Sequence, residues 1–178
     1  RVLFRSVGTH PIVQRVDTID EANLAFDSIT YEKGLAVIRM LEAYVGEEAF
    51  RTGVRDYLNA HLYGNAQTED LWRAVQAASG QPVTQIARGF TSQPGFPLLT
   101  ASGADCAREP GAGRITLTQR RFATDEVSRT DERWEIPVVT RSLGGAPVRT
   151  IVPAQTTANA DTGARCGAYV VNAGQSGF

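Results

Sequence analysis

Lysine is almost missing from these 178 residues: of the 18 cationic side chains only Lys33 is a lysine, and the rest are arginine. Genomic base composition can produce that bias, so it excludes nothing by itself. Other shortages exclude more. No stretch approaches the roughly 18 consecutive apolar residues of a membrane-spanning helix, and the first residues lack the charged and apolar regions of a secretory signal. A net charge of -1 supplies no global attraction to nucleic acid or to an anionic membrane. The chain contains no H-E-x-x-H, no phosphate-cradling glycine loop, no C-x-x-C and no G-x-S-x-G, so no self-contained catalytic motif can be read from it. Its two histidines, His10 and His61, have no second histidine or cysteine at ligand spacing. Both read as structural or solvated side chains.

What is present is enough for a core. Hydrophobic residues at 42% with 21% charged are the proportions of an ordinary folded, soluble protein. The chain starts at Arg1, and its single methionine, Met40, lies inside the best helical stretch, which suggests a piece of a longer polypeptide. Residues 1–21 show no clean helical period and are expected to be loop or extended. From Tyr31 onward, Ala36, Val37, Met40, Leu41, Tyr44 and Val45 recur at helical spacing, up to Gly46. A second helix presents Phe50, Val54, Tyr57, Leu58 and His61 on one face and closes at Gly64 and Asn65. Thr68, followed by Glu69 and Asp70, reads as the cap of a third helix that turns Leu71, Trp72, Val75 and Ala78 inward and stops at Gly80. Pro82 suits the first turn of a fourth, through Val83, Ile86 and Phe90.

Helix cannot continue through QPGFP at 93–97, where two prolines bracket a glycine. Downstream, short apolar or alternating runs are separated by glycine-rich turns, the pattern of an antiparallel β-sandwich. Ile115, Leu117 and Gln119 alternate with Thr116, Thr118 and Arg120, so one face can be buried and the other wet. The fold class is therefore α+β, helices first and a sandwich after, divided at 92/93. Cys106 and Cys166 both fall in the β-rich half and allow only one pairing. A disulfide would imply an oxidising compartment, and two buried thiols are the alternative; the turn-rich flanks favour the bridge. A periplasmic or secreted location rests on that bridge alone, and a cytoplasmic one stays open.

Ordered landmarks then accumulate: THPI at 9–12, FDSITYEKG at 26–34, GEEAF at 46–50, DLW at 70–72, and QPGFP, TLTQRRF, WEIPV and NAGQSGF beyond. Together they resemble the gluzincin zinc aminopeptidases of the aminopeptidase N type, peptidase family M1, over essentially the whole chain. Thr9 stands where that family usually has serine. The resemblance implies that residues 1–92 are the C-terminal helical part of a catalytic domain and 93–178 most of its β-sandwich domain. It implies that Tyr31 is catalytic, donating a hydrogen bond to the oxyanion formed when zinc-bound water attacks a scissile carbonyl. A phenol ordinarily titrates near about 10, so such a donor keeps its proton at neutral pH. Lys33 is expected near solvent, and Gly34 is expected to permit the close approach of another element.

The zinc ligands that the resemblance implies, two histidines and a glutamate, are absent and would lie upstream of Arg1; past Phe178 the family continues the last strand and then a helical domain. Zinc is thus a cofactor of the full-length enzyme, with none expected on this piece. The partners are a peptide substrate and those two flanking segments of the same polypeptide, with no nucleic acid and no membrane span. The function expected is removal of N-terminal residues from peptides, with this piece inactive alone. A catalytically silent relative used as a binding scaffold is the alternative, and an independent interaction module a further one. Asp20, Glu21 and Asp27 are acids near Tyr31 in sequence, but spacing does not show that any pair converges.

Overall fold

Where glycine and proline fall, the elements change. The computed structural model describes residues 9–105, 114–155, 157–161, 168–175 and 177. Helix α1 (Ile19–Leu24) and a π-helical turn (Ile29–Lys33) lead into α2 (Gly34–Val45), α3 (Glu47–Ala60), α4 (Thr68–Ser79) and α5 (Val83–Ser92). Strands β1 (Pro97–Asp105), β2 (Arg114–Arg121), β3 (Ile136–Ser142), β4 (Val148–Val152), β5 (Thr157–Asp161) and β6 (Tyr169–Val171) follow. They form two antiparallel sheets in the orders β1-β2-β5 and β4-β3-β6. The α+β class and its order agree with the sequence reading. Cys106 and Cys166, with the bridge expected of them, lie outside the described residues.

Three local expectations are corrected. Residues 19–24 are helical, because Thr18 Oγ1 accepts from the Glu21 N–H at 3.2 Å while the Glu21 carboxylate accepts from the Thr18 N–H at 3.0 Å. This T-x-x-E capping box closes two orphan donors at once. At α4 the cap is Gln67 and not Thr68: the Gln67 N–H donates to Asp70 Oδ2 at 2.8 Å and the Gln67 carbonyl accepts from the Asp70 N–H at 3.0 Å, so the first turn closes on Gln67 and Thr68 is already helical. Leu58, expected on the packed face of α3, is 57% exposed. The buried residue of α3 is Gly53, where an added Cβ would stand 2.5 Å from the Val75 Cα of α4. At about 100° per residue, Leu58 lies about 140° around the helix from Gly53, turned away from that contact.

One apolar core crosses from helices to sheets. Val37, Met40 and Leu41 of α2, Val75 of α4 and Phe90 of α5 continue into Ile115, Leu117, Trp134 and Val152. The rings of Phe90 and Trp134 meet at 6.4 Å with a 37° tilt, joining the last helix to the residues just before β3. The alternation read in β2 is present, with Ile115, Leu117, Gln119 and Arg121 facing in. Buried Gln119 uses both ends of its amide. Its Nε2 donates to the carbonyls of Trp134 (3.0 Å) and Pro153 (2.7 Å), and its Oε1 accepts from the Trp134 N–H at 3.0 Å. A buried amide saturated in this way fixes the register of its neighbours rather than destabilising the core. Among the described residues no helix is long and apolar enough to cross a membrane.

Candidate active site

The π-helical turn sorts its side chains sharply. Ile29 and Lys33 at its ends are 1% exposed, whereas Tyr31 between them is 63% exposed. Single π turns inserted in α-helices are rare and frequently mark functional positions. Asp27 builds the front of the turn: its Oδ1 accepts from the Thr30 N–H at 2.9 Å and its backbone carbonyl from the Tyr31 N–H at 3.1 Å. Phe26 lies beside the phenol, ring centroids 6.4 Å apart. The backbone of Tyr31 is therefore engaged and its side chain is turned to solvent, an arrangement that can present a hydrogen-bond donor at a fixed place.

Lys33, expected near solvent, is corrected to buried. Its Nζ donates to the Gln93 carbonyl at 2.7 Å, and the Gln93 side chain donates to the carbonyls of Gly89 (3.1 Å) and Arg133 (2.9 Å). The turn that carries Tyr31 is thus tied to the 93–97 linker and through it to the β half. Burial, helped by the nearby positive charge of Arg121, pushes the Lys33 pKa down from 10.5 to about 8. The linker needs its glycine: Gly95 has φ +74°, and a Cβ there would stand 2.6 Å from Arg121 Nε. Gly34 has no such neighbour. A Cβ at Gly34 would meet nothing within 4 Å, so close approach does not explain it. It borders instead a groove of about 350 Å³ with Val13, Val16, Val37, Ile38 and Trp72 on its walls.

His10, read as structural or solvated, pairs with Asp27 across 17 residues. Its Nε2 lies 2.7 Å from Asp27 Oδ2 and its Nδ1 2.7 Å from the Pro11 carbonyl oxygen. Desolvation opposes a charged His10, but the Pro11 carbonyl and the Asp27 carboxylate together outweigh it and raise the pKa above 6.5. Desolvation likewise opposes a charged Asp27, and the Thr30 N–H and His10 together outweigh it and lower the pKa below 3.8. Glu21 takes no part, its carboxylate being spent on the N–H groups of Asp17 and Thr18. His61 lies at the C-terminal end of α3, 3.8 Å from Asp70 and with its ring 5.3 Å from that of Tyr57. Among the described residues no three His, Cys, Asp or Glu side chains come together as a metal centre requires. With both His10 nitrogens already taken, these residues do not fit a zinc ion.

Tyr31 is thus a surface phenol on a braced turn, followed in the chain by helices α2 to α5 and two antiparallel sheets. In comparison with known proteins, the Peptidase family M1 domain matches residues 5–90. The chain is 42% identical over 131 residues to Tricorn protease-interacting factor F2 of Thermoplasma volcanium, covering 74% of this chain and 16% of that protein. It is 41% identical over 132 residues to Aminopeptidase 2, mitochondrial, of Saccharomyces cerevisiae (74% and 13%). Over 142 residues it is 41% identical to the puromycin-sensitive aminopeptidase of Caenorhabditis elegans (79% and 14%). The chain belongs to peptidase family M1, whose members are generally zinc-dependent. It spans less than one fifth of the length of these relatives.

Proposed function

We propose that the full-length protein carrying this chain is an aminopeptidase that hydrolyses N-terminal residues from peptides, and that Tyr31 is its oxyanion donor. One observation carries the reading: a phenol 63% exposed on a turn anchored at both ends by the buried side chains of Ile29 and Lys33. The turn holds the backbone of Tyr31 still while its hydroxyl reaches outward. As the scissile carbonyl becomes tetrahedral, charge collects on its oxygen, and a preorganised donor lowers that barrier without reorganising. The family and the names of the relatives support the peptidase class. In this reading the metal is held by residues outside this chain, and the piece is inert by itself.

The test is release of the N-terminal residue from an amino-acid anilide by the full-length protein and by this chain separately. Hydrolysis by the former and none by the latter is the expected result. A full-length protein that binds peptides without cleaving them contradicts the reading and leaves a silent scaffold in its place.

A further inference from the structure

We propose that His10 is a positioning residue for Tyr31, acting through Asp27 to hold the π-helical turn in the arrangement that presents the phenol. The inference rests on the reading of Tyr31 as oxyanion donor. Its basis is a continuous chain of contacts: Pro11 carbonyl, His10 ring, Asp27 carboxylate, Thr30 N–H, and then Tyr31, whose own N–H is bonded to the Asp27 carbonyl. Asp27 is the hinge of this chain. One carboxylate oxygen caps the turn at Thr30 and the other is fixed by His10, so freeing the second oxygen lets the carboxylate rotate away from the first contact.

The hydrogen-bond chemistry assigns the state of the ring. A backbone carbonyl can only accept, so Nδ1 must donate to Pro11. An ionised carboxylate can only accept, so Nε2 must donate to Asp27. Both nitrogens therefore carry protons and His10 is an imidazolium, making the bond to Asp27 charge-assisted on both sides. The other charged group that bears on His10 is Lys33, which disfavours the imidazolium. The Asp27 carboxylate and the Pro11 carbonyl outweigh it.

The leading segment thereby has a role that its irregular conformation hides. A second backbone contact, Val13 N–H to the Thr91 carbonyl at 2.9 Å, secures it to the end of α5. His10 reaches Tyr31 from an anchored strap and not from a free end.

The experiment is a double-mutant cycle in the full-length protein, with His10→Ala, Tyr31→Phe and both together, reading kcat and KM on an amino-acid anilide. His10→Ala is expected to lower kcat about 10- to 100-fold with little change in KM. His10→Gln, which can still donate to Asp27, is expected to recover part of that loss. In the Tyr31→Phe background the same His10 change is expected to do nothing more. An equal loss in both backgrounds, or no loss in either, overturns the proposal. If Tyr31→Phe alone leaves activity intact, the donor reading fails first, and the proposal with it. Ring nitrogen chemical shifts of His10 in the unmutated protein then report the clamp independently: two protonated nitrogens below pH 6.5 are expected, and a neutral tautomer there contradicts it. Should His10→Ala fail to fold, Asp27→Asn replaces it in the cycle with the same expectations, because it keeps an acceptor for Thr30 and removes the charge that holds His10.

Discussion

Tyr31 in the helical half and Gln119 in the sandwich show opposite uses of a polar side chain. Around Tyr31 the backbone N–H is bonded, Ile29 and Lys33 at the ends of the turn are buried and the side chain is left toward solvent. Around Gln119 the side chain is fully buried and both its ends are committed to backbone groups of Trp134 and Pro153. The first arrangement leaves a hydroxyl uncommitted to the fold, as the proposed donor role requires; the second commits the amide to the fold. The same chemistry therefore predicts different failures on mutation: loss of activity with stability kept at Tyr31, and loss of stability at Gln119 and its neighbours.

The sharpest break of the fold should come at Trp134, where the sandwich meets α5. Trp134→Ala removes a fully buried indole, and about 3–5 kcal/mol of stability is expected to go with it. Denaturant unfolding measures this. Gln119→Leu should cost less, about 1–3 kcal/mol, because it strands buried backbone groups while filling the same space. A variant as stable as the parent would show that the amide is dispensable to the sandwich.

Lys33, the link between the two halves, should show itself as a pH dependence. Its folded pKa, about 8, lies below the ordinary 10.5, so between those values the unfolded chain binds more protons than the folded one. Stability is therefore expected to rise with pH across that window, as the cost of a buried charge is relieved. Lys33→Met should flatten that rise, and unfolding midpoints measured across the alkaline range check it. The His10–Asp27 pair, partly open to solvent, should have a smaller effect. His10 has a raised pKa, so its contribution is complete below 6.5 and is lost as pH rises through the folded value. Asp27 has a lowered one, so its contribution is complete above 3.8 and is lost as pH falls through the folded value. His10→Gln should remove the loss on the high side, which thermal unfolding against pH will reveal.

Much of this fold was legible before the structure. Helices α2 to α5 announced themselves through apolar period and glycine stops, and β2 through alternation, because these elements bury one face and leave the other wet. Helix α1 escaped because it buries no residue, so only its capping box at Thr18 and Glu21 could have signalled it. Lys33 was misread because lysine is almost never fully buried unless partnered, and its partner, the Gln93 carbonyl, is 60 residues away. The site was less legible. Tyr31 was singled out by resemblance to a family and not by its spacing. The approach of His10 to Asp27 depends on the path of the intervening chain, which no local period encodes.

The most direct test of the account is Tyr31→Phe in the full-length protein, with kcat on an amino-acid anilide and thermal stability measured together. Losing one preorganised donor is expected to lower kcat by about 10²- to 10³-fold. The melting temperature should stay unchanged, because the hydroxyl removed belongs to a side chain 63% exposed. Full activity in the variant would contradict the donor role, and a fall in activity matched by unfolding would make Tyr31 a structural residue after all.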